Sequence, residues 1–262
     1  MGALDGRVAL VTGGGRGIGR GISLALASEG ATVAINYRRD MESAQETMNE
    51  ILAAGGAATI HQASTDIPDE SEKMVNEIVS AHGAIDIAVI NGGVASRGLS
   101  VADTSAEELW QLVATHALGP HQLCRFLLPS MRTRGRGDIV FISSVATRGM
   151  SANGAPYNMG KAAMEALAFT LAKEEMPNNI RVNVVAPGLV ETDMGVRLAR
   201  AIQGKKKEDM PDLRAMDQSS PFGRVCQPQD VAEAVLWFCS PGSFYVTGQR
   251  LEVDGGASSI RR

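Results

Sequence analysis

Short apolar runs alternate with longer amphipathic stretches along most of the 262-residue chain. Runs of β-branched residues predict strands at about 7–12, 32–37, 57–63, 85–91, 137–143, 180–186 and 249–253. Apolar positions with a helical period predict helices at about 17–29, 41–54, 69–82, 105–132, 155–176 and 228–239. The run at 85–90 is almost wholly apolar, as in a strand that is covered by helices on both faces. The alternation therefore predicts an α/β fold with a doubly wound parallel sheet.

No linker or repeat interrupts this pattern, so residues 1–262 are predicted to form a single domain. The region 189–227, between the sixth strand and the last helix, is the one long stretch without a regular period. Irregular segments of that length in compact domains often cover a binding site. We therefore predict that 189–227 is a lid over a substrate.

Composition narrows the class of partner and the compartment. The chain has 25 basic and 29 acidic residues, and the net charge of −4 argues against nucleic acid or an anionic membrane as partner. Its three cysteines are far apart, which suits a reducing compartment and gives no support for a metal site. No apolar run reaches membrane-spanning length. We expect a cytoplasmic protein without a bound metal.

A glycine-rich turn follows the first predicted strand and leads into the first predicted helix. It reads Thr12-Gly13-Gly14-Gly15-Arg16-Gly17-Ile18-Gly19. Backbone amides and a helix N-terminus in this arrangement bind a pyrophosphate, and glycine lets the backbone approach it. A nucleoside-triphosphate loop is excluded, because Arg20 follows Gly19 and no Lys-Ser/Thr pair is present. The turn predicts a dinucleotide site.

The end of the second predicted strand indicates which dinucleotide binds. Enzymes that use NAD usually place an acidic residue there, but this chain reads Asn36-Tyr37-Arg38-Arg39. Arg38, helped by Arg16, would instead pair with a 2′-phosphate through its planar guanidinium. This favours NADP(H), while NAD(H) remains possible. The alternative is that the arginines lie on a loop exposed to solvent.

A possible proton-transfer site lies in the second half of the chain. Tyr157 and Lys161 are four residues apart on a predicted helix, so their side chains share one face. A lysine ammonium close to a phenol would stabilise the phenolate and lower the tyrosine pKa. The hydroxyl of Ser144 could position a carbonyl oxygen at the same point. The alternative is an exposed Tyr and Lys without a function.

These motifs, taken in order, resemble those of the short-chain dehydrogenase/reductases. The resemblance rests on the glycine turn, Asp66-Ile67, Asn91-Gly92-Gly93, Ser144, Tyr157-x-x-x-Lys161, Pro187-Gly188 and the closing Val253-Asp254-Gly255-Gly256. It covers essentially the whole chain and is closest to the 3-oxoacyl-[acyl-carrier-protein] reductase-like branch. It implies a single-domain, Rossmann-type, seven-stranded parallel sheet flanked by helices, and a homotetramer. The implied reaction is NADPH-dependent reduction of a ketone to a secondary alcohol.

The resemblance also implies roles for individual residues. Tyr157 would be the general acid or base, Ser144 would orient the substrate oxygen, and Lys161 would lower the tyrosine pKa and hold the nicotinamide ribose. Met150 and Met194 would line an apolar substrate pocket, which favours an apolar carbonyl compound. The resemblance and the glycine turn together predict these cofactor-binding residues: Gly13, Gly15, Arg16, Gly17, Ile18, Gly19, Tyr37, Arg38, Asp66, Ile67, Asn91, Gly93, Tyr157, Lys161, Pro187, Gly188, Val190 and Thr192.

One position departs from the family pattern. His116 stands where the family usually has an Asn whose backbone helps to hold a proton-relay water. It is a tolerated substitution, a member of the relay, or a cause of impaired catalysis. The functional alternatives are a 3-oxoacyl-[acyl-carrier-protein] reductase, a catalytically weak NADP(H)-binding sensor, and an NAD-linked alcohol dehydrogenase.

Overall fold

The computed structural model describes residues 2–202 and 212–258 of the chain. Within them, parallel strands form one seven-stranded sheet in the order β3-β2-β1-β4-β5-β6-β7. The strands are β1 (Val8–Val11), β2 (Thr32–Tyr37), β3 (Ala57–Gln62), β4 (Ile87–Ile90), β5 (Gly137–Ile142), β6 (Ile180–Pro187) and β7 (Arg250–Val253). The predicted α/β, doubly wound, seven-stranded parallel fold is confirmed.

Helices cover both faces of the sheet, and five of the six predicted helices lie close to their predicted bounds. They are α1 (Gly17–Ser28), α2 (Met41–Ala53), α3 (Pro68–His82), α4 (Ala106–Val113), α5 (Gly119–Met131), α6 (Ala146–Gly149), α7 (Ala155–Glu174), α8 (Asp193–Ile202) and α9 (Pro228–Cys239). One core cluster lies between the sheet and α3, α5 and α7, and the other between the sheet and α1, α2 and α9. Burial on both faces explains why β1, β4 and β6 are buried along their whole length.

The strand order reverses at β1, and this reversal positions the site. β1 pairs with β2 on one side and with β4 on the other. The connections from these two neighbours leave in opposite directions, which opens a crevice at the carboxyl ends of β1 and β4. In doubly wound sheets, ligands bind in such a crevice.

The predicted helix at 105–132 is interrupted in the structure. Residues Ala114–Leu118 form a π-helical turn between α4 and α5, and the amide of Gly119 donates to the carbonyl of Ala114, five residues earlier. Pro120 gives a local cause. It has no N–H to donate to the carbonyl four residues back, that of His116, and its ring would collide with that carbonyl in a regular helix. The π turn accommodates one extra residue at this point.

The region 189–227 contains more regular structure than its sequence indicates. Helix α8 occupies its first part, and 3₁₀ turns form at Leu213–Ser219 and Pro221–Gly223. Residues 203–211 of the predicted lid lie outside the described residues. In the part of the chain that the structure describes, no helix is long and apolar enough to cross a membrane.

Candidate active site

A cleft of about 1190 Å³ opens at the carboxyl edge of the sheet, where the strand order reverses. The glycine turn, the end of β2, the end of β5, α7 and the segment after β6 contribute to its walls. Every residue predicted for catalysis, cofactor binding or the substrate pocket lines this cleft, apart from Ile67 and Met150. The fold therefore brings positions that are far apart in the sequence to a single site.

The glycine turn is built for close approach of the backbone. Gly13 and Gly17 have φ angles of 60° and 54°, in the left-handed region that other residues rarely adopt. A Cβ on Gly19 would lie 2.1 Å from the carbonyl oxygen of Gly13. Asn91 at the end of β4 supports the turn, because its side-chain amide donates to the carbonyl of Thr12 at 2.9 Å. The N-terminus of α1, with its positive dipole end, faces the cleft at this turn.

Two arginines lie at the rim beside the end of β2. Arg16 Nη1 is 3.2 Å from Asp40 Oδ2, and Arg38 Nη1 is 3.9 Å from Asp66 Oδ2. Both guanidinium groups are well exposed to solvent. The ion pairs hold them at the cleft without burying them, so their donors remain accessible to an anion. The backbone amide of Ser43, donating to Asp40, lowers the pKa of that carboxyl.

The catalytic candidates converge where β5 meets α7. Tyr157 and Lys161 lie one helical turn apart on α7, and Ser144 follows β5 directly. The ammonium of Lys161 donates to the carbonyl of Ile142 at 2.7 Å and lies 5.9 Å from the centre of the Tyr157 ring. The Ser144 oxygen accepts from the amide of Ala146 at 3.1 Å, which fixes the hydroxyl in the cleft.

Burial sets the protonation states of the tyrosine and the lysine. It lowers the pKa of Lys161 to about 7, against a partial opposing effect of Glu165. Burial raises the pKa of Tyr157, and a hydrogen bond with Ser144 opposes that rise. The lowering of the Tyr157 pKa that was expected from Lys161 is therefore not found. Burial is the largest influence on this pKa, and the phenol keeps its proton at neutral pH.

His116 is completely buried beside this centre. Its Nε2 lies 2.9 Å from the carbonyl oxygen of Val94, and its ring meets the Tyr157 ring edge-on with centroids 5.2 Å apart. Val94 can only accept at that carbonyl, so we assign the proton to Nε2. Nδ1 is then an acceptor, and it has no hydrogen-bond partner among the described residues. Burial, followed by the charge of Lys161, lowers the pKa of His116 to about 3.

Two glycines make room for the imidazole. A Cβ on Gly93 would lie 2.8 Å from His116 Cε1, and a Cβ on Gly160 would lie 2.9 Å from His116 Cβ. Contacts that short do not occur in folded proteins, so any side chain at 93 or 160 would displace the ring. The geometry thus fits a histidine held in one orientation between α7 and the segment after β4.

Comparison with known proteins agrees with this geometry. A family model described as Enoyl-(Acyl carrier protein) reductase matches residues 13–258. An uncharacterized oxidoreductase of Escherichia coli strain K12, YgfF, is 36% identical over an alignment of 260 residues that covers 95% of this chain and 99% of the relative. Versicolorin reductase stcU of Emericella nidulans is 33% identical over 256 residues, or 97% of this chain and 96% of the relative. A short-chain type dehydrogenase/reductase from Mycobacterium marinum superposes with a TM-score of 0.87 at 29% identity, covering 98% and 97% of the two chains.

The chain belongs to the short-chain dehydrogenase/reductase family. It is accordingly an oxidoreductase that acts on CH–OH groups or the corresponding carbonyls. Members of this family bind NAD(P)(H), and the chain's own glycine turn fits that group. Gly13 and Gly17 have positive φ angles, and the lack of a side chain at Gly19 lets α1 pack directly against the carbonyl of Gly13, so the turn presents backbone to the cleft.

Two predicted residues of this family member lie away from the cleft lining. Met150 ends α6 in a left-handed conformation with φ of 43°, and its side chain is 53% exposed. It follows Ser144 in sequence, but it is not among the residues that line the cleft. Ile67 precedes α3 and is 44% exposed. Its backbone amide donates to Ser64, so the segment that carries Asp66 is fixed by a local turn.

Sequence reasoning also missed residues around the serine. Ser143 and Thr147 on either side of Ser144 hydrogen-bond Glu165 on α7, and Arg250 on β7 contacts the same group. A signal was present for Glu165, which continues the four-residue spacing of Tyr157 and Lys161. No local signal identified Arg250, because its partners are distant in the sequence.

Proposed function

We propose that the chain reduces a ketone to a secondary alcohol with NADPH, and that Tyr157 donates the proton. The observation that carries the proposal is the meeting of a protonated Tyr157, Ser144 and a buried Lys161 in the cleft that begins at the glycine turn. These groups provide a proton and a carbonyl-orienting hydroxyl beside a cradle for the dinucleotide.

The proposed chemistry divides between the cofactor and the chain. When bound, the nicotinamide supplies a hydride to the carbonyl carbon. The hydroxyl of Ser144 donates a hydrogen bond to the carbonyl oxygen, and Tyr157 transfers its proton to that oxygen as negative charge develops there. A charged Lys161 stabilises the phenolate that Tyr157 leaves behind. The retained proton on Tyr157 suits the reductive direction, because a general acid must start protonated.

The preference for NADPH is supported by the rim beside β2. Arg38 and Arg16 present exposed guanidinium groups there, and no carboxylate precedes Asp40 at the end of the strand. Asp40 is engaged by Arg16 and by the amide of Ser43, which leaves it poorly placed to receive a ribose hydroxyl. A 2′-phosphate would take the place of these acidic partners on the arginines.

The substrate is proposed to be an apolar carbonyl compound. Met194 lines the cleft and offers a flexible apolar wall. The relative named versicolorin reductase supports a free ketone over a carrier-bound one. The description of the matching family model keeps an acyl-carrier-protein substrate as the second candidate. The homotetramer and the cytoplasmic location stay predictions.

The test is oxidation of NADPH with a panel of aliphatic, aromatic and polycyclic ketones, followed by absorbance. We expect turnover with at least one class, and a loss of roughly 100-fold or more in kcat for Tyr157→Phe, the range expected for a general acid. Tyr245→Phe is the matched control, because that side chain is 99% exposed. Tight NADPH binding without turnover on any ketone would contradict the proposal and favour the sensor.

A further inference from the structure

A carboxylate and a guanidinium beneath the catalytic serine form a cluster that the proposed chemistry does not use. Glu165 lies on α7 one turn beyond Lys161, on the same helical face as Tyr157. Its Oε1 accepts from Ser143 Oγ at 2.5 Å, from Thr147 Oγ1 at 2.8 Å and from Arg250 Nε at 3.1 Å. A single carboxylate oxygen therefore ties α7 to both sides of the loop that carries the serine.

Arg250, on β7, approaches the same loop from the sheet. Its Nη2 donates to the backbone carbonyl of Ser144 at 3.2 Å and to Thr147 Oγ1 at 3.1 Å, while Nη1 donates to Glu252. The side chains of Arg250 and Glu165 are only 11% and 13% exposed. Buried charge-assisted hydrogen bonds of this kind are stronger and more directional than surface ion pairs.

The same carboxylate also acts on the lysine. The charge of Glu165 raises the pKa of Lys161, which burial has lowered. The other ionisable groups that face Lys161 are Tyr157 on the same helix and His116 on the π turn. His116 is neutral at physiological pH, so among these neighbours Glu165 is the one that favours a charged lysine.

We propose that Glu165 and Arg250 are positioning residues of the catalytic centre, which hold the loop 143–147 and thereby Ser144 against α7 beside Lys161. This proposal rests on the proposed function, because it assigns the pair a task in the reaction of that site. The pair fixes the serine through its backbone carbonyl and through its two neighbours. Its second effect is to keep the lysine charged over a wider pH range.

A purely structural pair would fasten β7 to α7 and leave the chemistry unchanged. The two roles differ in measurable ways. A positioning role predicts a loss in kcat rather than in the KM for NADPH, because the glycine turn lines the cleft whereas Glu165 and Arg250 do not. It also predicts a shifted pH profile. Without the carboxylate, Lys161 loses its proton at lower pH, so activity that needs the ammonium declines at lower pH on the alkaline side.

The first experiment compares wild type with Glu165→Gln, which keeps the shape of the side chain and removes its charge. We expect kcat to fall roughly tenfold or more, since small displacements of reacting groups are costly. The KM for NADPH should stay within about twofold, and the alkaline limb of the kcat profile should move to lower pH. Glu174→Gln on the same helix is the control, because Glu174 is exposed and remote from the cleft.

The second experiment needs no activity. Amide hydrogen exchange is followed over residues 143–149 in wild type, Glu165→Gln, Glu174→Gln and Arg250→Lys. Arg250→Lys keeps the charge but loses the forked donor, and it serves if the glutamine variant fails to fold. We expect roughly tenfold faster exchange in this loop for Glu165→Gln and Arg250→Lys, and wild-type exchange for Glu174→Gln.

The two measurements separate failure of this proposal from failure of the proposed function. If the wild type turns over no ketone, but the loop exchanges faster in Glu165→Gln and Arg250→Lys than in the wild type, the positioning contacts are supported and the reaction assignment fails. If the wild type is active, but both variants show wild-type loop exchange and Glu165→Gln shows the wild-type pH profile, the positioning role alone is overturned. A uniform increase in exchange throughout the chain would show a structural pair and would also overturn it.

Discussion

Replacing the buried histidine of the candidate active site with asparagine should change how the stability of the fold depends on pH. His116 is held neutral, with a pKa of about 3 in the folded chain against an ordinary value of 6.5. Between these two values the unfolded chain binds a proton that the folded chain does not. Stability from this residue is therefore complete above pH 6.5 and is lost progressively as the pH falls toward 3. Asparagine does not titrate and removes this dependence.

The size of the effect follows from the same two values. Taking the pH from about 7.5 to about 4.5 gives the unfolded imidazole almost a full proton, while the folded one remains neutral. Each pH unit below the unfolded pKa costs about 1.4 kcal/mol, so the span of roughly two units corresponds to about 2.5 to 3 kcal/mol. His116 has no exposed surface, so solvent screening does not reduce this figure substantially.

Urea unfolding at fixed protein concentration, at several pH values across this range, gives the free energy of unfolding of wild type and His116→Asn. The difference between the two should shift by about 2.5 to 3 kcal/mol in favour of the variant as the pH falls, whatever its sign at neutral pH. His121→Asn is the control, because His121 is exposed on α5. Parallel stability curves for wild type and His116→Asn would refute the neutral, buried imidazole.

Two further predictions concern the cofactor and the relay. Arg38→Ala should raise the KM for NADPH roughly 10- to 100-fold through loss of a charge-assisted contact, and leave the KM for NADH within about twofold; equal losses for both dinucleotides would contradict a 2′-phosphate contact. His116→Asn should keep or raise turnover if the histidine is a tolerated substitution. A loss beyond about tenfold, with native folding, would instead assign the imidazole a dedicated role.

The layers of the fold could be predicted because the sequence pattern is local and repetitive. Apolar runs such as 87–90 are buried along their length between two layers of helices, and the glycine turn marks the first crossover. The site motifs could likewise be located, because each lies directly after a strand or at the start of a helix. Parallel strands bring those ends to one edge, and the cleft there contains Ser144, Tyr157 and Lys161 together.

The features that could not be predicted from the sequence depend on burial and on contacts between residues that are distant in the chain. Lys161 was expected to lower the pKa of Tyr157, but burial of the phenol raises that pKa instead. Met150 follows Ser144 closely, yet it ends α6 in a left-handed conformation and is exposed. The contact of Arg250 with Ser144 joins residues 106 positions apart, a pairing that no spacing rule reports.

The π turn at Ala114–Leu118 also changes the direction in which the apolar faces of α4 and α5 point. An inserted residue rotates everything after it by about 100° around the helix axis. α4 accordingly packs against α7, whereas α5 turns its apolar face to α3 and the sheet. His116 lies at the point where this rotation occurs. The π turn that positions the imidazole beside Tyr157 thus also lets α4 and α5 direct their apolar faces to different neighbours. Removing a single residue from this turn would rotate the apolar face of α5 away from the core that it packs against.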